Sequence, residues 1–190
     1  MPIQELFIMS NQELRKIVAQ IANNQWGLAM PKGTSTKPTN LKEAIKYHTY
    51  DDAWVPDVLA GKTKDEVGDR YENLFSSEDV MAKYVKFNEL AIGAVRDFKD
   101  LNRITHLSYG AFPAREYLQH IISFRAFRSY DIAKLIGADT TMKPVFVQAL
   151  IAEFSPVIEG YRQMGVFPPA IKVANDASLQ VKLLAMVGRE

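Results

Sequence analysis

The chain has 190 residues, 47% hydrophobic and 24% charged, a composition typical of a globular protein. Its 23 Lys and Arg nearly balance 22 Asp and Glu, leaving a net charge of +1, so we do not expect nucleic acid as a partner. No apolar run reaches the roughly 18–20 residues that a membrane-spanning helix needs, and the N-terminus lacks the pattern of a signal peptide. We therefore expect a single cytoplasmic domain over residues 1–190, with no membrane partner.

The chain contains no cysteine, which excludes disulfides, thiolate metal sites and a cysteine nucleophile. Any thiol chemistry must therefore use an external thiol. The sequence also lacks a phosphate-binding glycine loop, a GxSxG motif and an HExxH motif. The common catalytic signatures do not identify a function.

Capping residues and apolar spacing predict helices separated by loops in the first part of the chain. Ser10 and Glu13 have capping-box spacing, which predicts that a first helix begins there. Residues 26–38 are rich in Gly, Pro, Thr and Lys and predict a loop. Asn40 and Glu43 form a second capping pair, so a second helix is expected from residue 41.

The rest of the chain continues this pattern after a charged break at residues 61–69. A third helix is predicted at 80–98, and residues 104–110 within an irregular stretch indicate a short strand or extended loop. Pro113 and Gly137 bracket a fourth helix. Pro144 begins a fifth helix that Pro156 should kink or split, and residues 179–187 form a short final helix. The pattern predicts an all-α protein.

Two polar side chains fall on apolar helix faces, His48 on the second helix and Arg128 on the fourth. A buried cation is costly unless it is paired, so we predict that these two residues share one interior site. A core histidine with a single hydrogen bond is the structural alternative for His48. Asp51 and Asp52, one turn beyond His48, are expected to be solvated or, alternatively, to pair with Arg128.

Glu116 and His120 are four residues apart on the fourth helix, a spacing that places a carboxylate beside an imidazole. Such a pair can contribute to a zinc site, but it is also common on solvated helix faces. The surface role is the simpler interpretation. We also expect His106, in the irregular stretch, to lie at the surface.

Several short motifs follow one another along the whole chain. In the first half they are Gln25-Trp26, Met30-Pro31, Leu41 to His48, and Trp54-Val55-Pro56 followed by Leu59-Ala60-Gly61. In the second half they are residues 104–110, Pro113, Tyr130-Asp131-Ile132-Ala133 before Gly137, and the terminal Leu183-Leu184-Ala185-Met186-Val187-Gly188-Arg189. In this order, the motifs resemble those of the mycothiol-dependent maleylpyruvate isomerase-like proteins of the DinB-like superfamily.

The resemblance implies an all-α, DinB-like, up-down-down-up four-helix bundle with short C-terminal additions. It also implies that metal-binding relatives hold a divalent ion with three side chains, at positions that correspond to His48, Phe124 and Arg128. Phenylalanine has no donor atom and arginine brings a positive charge, so we expect no metal at that site. The alternative is a relocated zinc or nickel ion on His48, Glu116 and His120.

Three functions are therefore open. The first is a metal-free relative whose interior cleft, formed by His48, Asp52, Phe124 and Arg128, binds a small anion such as a carboxylate through the arginine. The second is an active isomerase or transferase that uses an external, mycothiol-type thiol. The third is a non-catalytic structural or dimerisation bundle, such as a homodimer, in which Arg128 pairs with Asp51, Asp52 or Asp131.

Overall fold

A computed structural model describes residues 1–31, 39–76 and 79–190. Within these residues the chain is mostly helical, in agreement with the predicted all-α class. The helices are α1 (Ile3–Val18), α2 (Leu41–Leu59), α3 (Lys64–Val67), α4 (Val80–Asp97), α5 (Ala114–Ile136), α6 (Pro144–Phe154), α7 (Ile158–Gln163) and α8 (Leu179–Met186). The strands are β1 (Ile104–Leu107) and β2 (Gly110–Pro113).

The chain divides into two compact units, Pro2–Asp139 and Thr140–Glu190 with Met1. We refer to them as the N-terminal unit and the C-terminal unit and describe each by itself. The prediction of a single domain over 1–190 remains a prediction. Of the predicted loop at 26–38, residues 32–38 lie outside the described residues, and the start of the loop follows a short 3-10 turn at Asn23–Gln25.

Four long helices form most of the N-terminal unit. Helix α1 packs against α4 and α5, and α2 packs against α4. The antiparallel hairpin β1–β2 contacts both α2 and α5, which places it between those two helices. The core contains residues from all four helices, such as Leu14, Ile45, Tyr84 and Ile132.

The boundaries of three of these helices follow from local sequence. Asn40 caps α2 by accepting a hydrogen bond from the Glu43 amide at 3.0 Å, as predicted. Asp79 caps α4 in the same way. Helix α5 begins after Pro113 and ends at Gly137, whose φ of 73° is the left-handed conformation that glycine adopts without steric cost. The predicted bounds of α4 and α5 are confirmed to within a residue or two.

The predicted start of the first helix is wrong. Helix α1 begins at Ile3, and Ser10 is buried in its interior, where its hydroxyl donates to the Leu6 carbonyl at 2.8 Å. Serine can make this bond to the preceding turn as readily as it can cap a helix, so its spacing from Glu13 did not define a boundary.

The irregular stretch before α5 is a β-hairpin. Ile104 pairs with Pro113 and Leu107 with Gly110, so Ser108 and Tyr109 form a two-residue turn. The buried Thr105 hydroxyl donates to the Phe112 carbonyl at 2.8 Å across the pair. The charged break at 61–69 likewise contains an element, the single helical turn α3, which Thr63 and Glu66 cap reciprocally.

In the C-terminal unit α6 packs against α8. Pro156 separates α6 from α7, so the predicted fifth helix is split. Phe154, Tyr161 and Phe167 pack their rings together with centroids 5.7–6.4 Å apart. In neither unit do the described residues contain a helix with the length and apolar character that crossing a membrane requires.

Candidate functional site

The centre of the N-terminal unit contains a buried arginine, Arg125 of α5, which has no exposed surface. Its Nη2 donates to Asp52 Oδ1 at 2.8 Å and to the His48 carbonyl at 3.1 Å. Its Nη1 donates to His48 Nδ1, since a guanidinium carries only donors. Arg125 therefore joins α5 to two successive turns of α2.

The same network continues into the other two long helices. Asn88 of α4 donates to Asp52 Oδ2 at 3.3 Å and to Asn11 Oδ1 at 3.0 Å. Asn11 of α1 donates in turn to the Phe7 carbonyl at 3.1 Å. Because Asn11, His48, Asp52, Asn88 and Arg125 are all buried and together connect α1, α2, α4 and α5, we call them the polar layer.

The electrostatics of the polar layer keep its histidine neutral and its arginine charged. Burial, followed by the charges of Arg125 and Arg128, holds the pKa of His48 well below its usual value. Burial also disfavours a charged guanidinium, but Asp52 and Asp51 outweigh it, so the pKa of Arg125 is raised. Within the polar layer, Arg125 and Asp52 thus form an ion pair, and neutral His48 accepts a hydrogen bond from Arg125.

Asp51 is the second carboxylate near this cation, and its surroundings differ. Its Oδ2 lies 3.7 Å from Arg125 Nη1, and its side chain keeps 22% of its surface exposed. Burial raises the pKa of Asp51 to about 7, and the nearby Arg125 only partly offsets that effect. Arg125 therefore faces two carboxylates, and Asp51 is the one with the weaker contact.

A cavity of about 270 Å³ lies on the other side of Asp51, between α2, α5 and the hairpin. Six of its lining residues are aromatic rings of Tyr, Trp or Phe. The residues that line it are Tyr47, Tyr50, Asp51, Trp54 and Val58 of α2, Lys64 of α3, His106, Leu107, Ser108 and Tyr109 of the hairpin, and Tyr117, His120, Ile121 and Phe124 of α5. We call this space the aromatic cavity.

Contacts outside the aromatic cavity hold its α2 wall in place. The Trp54 ring packs against Tyr50 and Tyr71, with centroid distances of 6.1 and 5.3 Å. Tyr71 is itself fixed by a hydrogen bond from its hydroxyl to Asp57 Oδ2 at 2.8 Å. Asp57 also pairs with Arg70 at 2.7 Å. These contacts therefore fix the α2 side of the cavity in the absence of a ligand.

The hairpin supplies the opposite wall through Tyr109. Its hydroxyl lies 3.2 Å from His120 Nδ1, and its ring packs 5.5 Å from Phe112. Burial is the main reason that the pKa of His120 is lowered, with Glu116 acting against it. Burial also raises the pKa of Tyr109 to about 12, so its hydroxyl keeps its proton near neutral pH.

The predicted site residues lie in three different places. His48 and Asp52 are together in the polar layer, and the expectation that Asp52 is solvated is wrong because its carboxylate is fully buried against Arg125. Phe124 lines the aromatic cavity and is 40% exposed. Arg128 is buried and its charge acts on His48, but neither residue lines the cavity. Of the four residues predicted to form one cleft, the aromatic cavity thus contains Phe124 and not His48, Asp52 or Arg128.

The residues at the positions implied by the resemblance do not fit a divalent metal ion. Phe124 has no donor, and the one ring nitrogen of His48 that can accept is already bonded to a cation, Arg125. Glu116 Oε1 lies 3.8 Å from His120 Nε2, and the other ring nitrogen of His120 lies 3.2 Å from the Tyr109 hydroxyl. Over the described ranges, no group of three or more His, Cys, Asp or Glu is placed to hold a metal ion.

His106 is exposed, as predicted, and it lies at the edge of the aromatic cavity. Two residues that organise the site, Arg125 and Tyr109, were not singled out from the sequence. The signal for Arg125 was its position three residues from Arg128, on a helix whose buried face is wide enough to include both.

No family model, characterised protein or solved structure matches the chain.

Proposed function

We propose that the N-terminal unit binds a small organic molecule in the aromatic cavity, without a metal ion, and that its four long helices form a DinB-like bundle. The observation that carries the binding proposal is the cavity itself. Ligand sites are commonly concave, mostly apolar and lined by aromatic side chains with a few polar groups. The aromatic cavity matches that description, and its volume of about 270 Å³ lies just below the usual range of roughly 300–1,000 Å³.

The polar groups in the cavity are suited to orienting a ligand. Asp51 supplies an acceptor on the α2 side, and the Tyr117 hydroxyl supplies a donor from α5, since burial raises the pKa of that phenol well above its usual value. His120 and Tyr109 are already linked to each other, so their contact aligns the hairpin with α5. The site is therefore organised without the ligand, which lowers the entropy cost of binding.

The hypothesis that the chain binds a small anion has less support than the binding of a neutral or cationic ligand in the cavity. It depended on Arg128 and His48, and those two residues contribute nothing to the cavity wall. Arg125, which contacts the cavity carboxylate Asp51, also pairs with Asp52. What supports the binding proposal is the aromatic wall rather than an exposed arginine.

Calorimetry with three probes of similar size tests the proposal. Benzylamine, benzyl alcohol and benzoate share a ring and differ in charge, so at least one should bind if the cavity accepts a small aromatic molecule. Ser108→Trp, in the hairpin turn that lines the cavity, should fill part of the cavity and weaken that binding at least about tenfold, or ~1.4 kcal/mol. Asn102→Trp adds the same ring outside the cavity and should leave the affinity unchanged.

Fluorescence gives an independent readout because the chain has only two tryptophans, of which Trp54 lines the cavity. In a Trp26→Phe variant, emission should come from Trp54 alone and should change as the probe binds. The proposal is wrong if none of the three probes binds, or if Ser108→Trp and Asn102→Trp bind them equally well.

A thiol-dependent isomerase or transferase is a second proposal, supported by Asp51. A carboxyl group with a pKa of about 7 is suited to accept and return a proton near neutral pH. Asp51 would take the proton of an external thiol bound in the cavity. Phenylmethanethiol, which replaces the hydroxyl of benzyl alcohol by a thiol, should then be alkylated by iodoacetamide, with loss of iodide and of the thiol proton to Asp51, faster in the presence of the protein, and Asp51→Asn should remove that acceleration.

A further inference from the structure

We propose that the ligand of the aromatic cavity is a small organic cation, whose ammonium group contacts the Asp51 carboxylate and whose body lies among the aromatic rings. This inference rests on the proposed binding function and names the chemical class that the site selects. It follows from the balance of charges beside the cavity and from the character of its walls.

The charges around Asp51 leave one negative charge without a full partner. Arg125 is the cation that Asp51 contacts, at 3.7 Å, but the same guanidinium bonds Asp52 at 2.8 Å. His48 is neutral because its pKa is lowered. Two carboxylates thus share one arginine, and the nearer one, Asp52, is buried out of reach of a ligand. Asp51 borders the cavity and can accept a second cation.

The groups that face Asp51 from the other elements do not supply that cation. Its neighbours Tyr47, Tyr109 and Tyr117 are phenols whose pKa values are raised, in part by the carboxylate itself. The pKa of His120 is lowered, mainly by burial. Lys64 also lines the cavity, but it is an exposed side chain on the single turn α3. A cationic ligand would therefore meet a carboxylate surrounded by hydroxyl groups and rings.

The walls favour a cation over a neutral molecule of the same size. Ammonium groups are attracted to the faces of Trp, Tyr and Phe rings, and the attraction increases when the site excludes water. Tyr47, Tyr50 and Trp54 follow one another along α2 beside Asp51, and Tyr109, Tyr117 and Phe124 stand on the opposite side. The carboxylate and the rings thus act on the same group, the positive end of the ligand.

A proton and a cationic ligand compete for Asp51, which gives the proposal a distinct pH dependence. The carboxyl has a pKa of about 7, so it is largely ionised at pH 8 and largely protonated at pH 6. Affinity for a cation should therefore fall about tenfold from pH 8 to pH 6. An anionic ligand would show the opposite trend, because protonation of Asp51 removes a repulsive charge.

The test compares benzylamine, benzyl alcohol and benzoate by calorimetry on the complete chain. At pH 8 benzylamine should bind at least about tenfold more tightly than the other two. Asp51→Asn should weaken benzylamine binding at least about tenfold and leave benzyl alcohol unchanged. Glu116→Gln is the matched control, since Glu116 lies beside His120 but not in the cavity lining, and it should keep the preference.

His106 requires its own control because it is one of two histidines in the cavity lining, the other being His120, whose pKa is lowered. The loss of benzylamine affinity between pH 8 and pH 6 should persist in His106→Gln, which excludes His106 as its source. Because this measurement leaves Asp51 in place, it also tests the proposed cation site if Asp51→Asn fails to fold.

The proposal is overturned if benzoate binds as well as or better than benzylamine, or if benzylamine affinity stays constant or rises toward pH 6. Equal binding of benzylamine and benzyl alcohol, with both blocked by Ser108→Trp, would refute the cation and leave the binding function standing. Failure of all three probes would refute both.

Discussion

Asp51 and Asp52 are neighbours on α2 and both approach the guanidinium of Arg125, yet they belong to different regions of the molecule. Asp52 lies in the polar layer, where its two oxygens accept from Arg125 and Asn88 and no surface is exposed. Asp51 borders the aromatic cavity, with a longer contact and a raised pKa. Arg125 thus stabilises the core through Asp52, and its weaker contact with Asp51 leaves that carboxylate able to contact a ligand in the cavity.

Removing the shared cation should have the largest effect on stability. Arg125→Met leaves Asp52 buried without its counter-ion, which costs about 3–5 kcal/mol of unfolding free energy. Urea denaturation measures the loss. Arg15→Met is the matched control, because Arg15 forms an ion pair of 2.9 Å with Glu89 on the surface and should contribute at most about 1 kcal/mol. Similar losses in both variants would contradict the structural role of Arg125.

The same substitution at the two carboxylates should separate the two regions directly. Asp52→Asn removes a charged hydrogen bond and should cost about 1.5–3 kcal/mol at pH 8. Asp51→Asn should be neutral or stabilising at that pH, because it removes a charge that burial disfavours. Denaturation of both variants at pH 8 tests this. Equal destabilisation would mean that Asp51 is also part of the core.

The contribution of Asp51 to the unfolding free energy of the parent should depend on pH with a defined sign. Because the folded-state pKa of Asp51 is raised from 3.8 to about 7, the folded chain holds this proton more tightly than the unfolded chain. The contribution of Asp51 to stability is therefore greatest below about pH 4 and decreases as the pH rises toward 7. The difference in unfolding free energy between the parent and Asp51→Asn should change over this range by about 1–3 kcal/mol.

His48 should give a smaller effect with the opposite sign. Its folded-state pKa is lowered, so the unfolded chain gains a proton below its ordinary value of 6.5 while the folded chain does not. The contribution of His48 to stability should therefore fall by about 1.4 kcal/mol per pH unit below 6.5, while the contribution of Asp51 changes in the opposite direction over the same range. His48→Asn, which places an amide oxygen near the position of Nδ1, should remove the His48 contribution and make the variant gain stability relative to the parent as the pH falls. Denaturation of the parent and the variant at pH 6.5 and 5.5 checks it, and an equal change in both would show that His48 does not contribute.

Tyr84 should give the smallest effect, although it lies beside the polar layer. Its hydroxyl is buried, and no described residue provides it with a hydrogen-bond partner. Tyr84→Phe removes an unsatisfied group and should leave stability unchanged or raise it by up to about 1 kcal/mol. A loss of more than about 1 kcal/mol in thermal or urea unfolding would indicate a bound water at that hydroxyl.

The sequence predicted the helices better than it predicted the partners of their side chains. Capping at Asn40 and the stop at Gly137 depend on residues close in the chain, and both are correct. Helix α5, in contrast, is buried around most of its circumference from Tyr117 to Ala133. A single apolar stripe therefore could not determine whether Arg125 or Arg128 meets His48, since they are three residues apart and neighbours on the helix surface.

The aromatic cavity could not be predicted from the sequence, for a related reason. Its walls come from α2, α5 and the hairpin, and only the three-dimensional structure brings Tyr109 close to His120. Phe124 was predicted to lie in the interior because it follows the apolar spacing of α5, but it is exposed, unlike Tyr117, Phe127 and Tyr130 of the same helix. Periodicity separates buried from exposed faces and does not reveal a cavity between them.

The hydrogen bonds of Arg125 also determine how far the helices can slide along one another. A shift of α5 by one helical turn would move its side chains by about 5.4 Å along α2. The same shift would carry the guanidinium away from both the Asp52 carboxylate and the His48 carbonyl and strand three buried polar groups. We therefore expect the register of α5 against α2 to be unique, and Asp51 to be held at one height along the cavity.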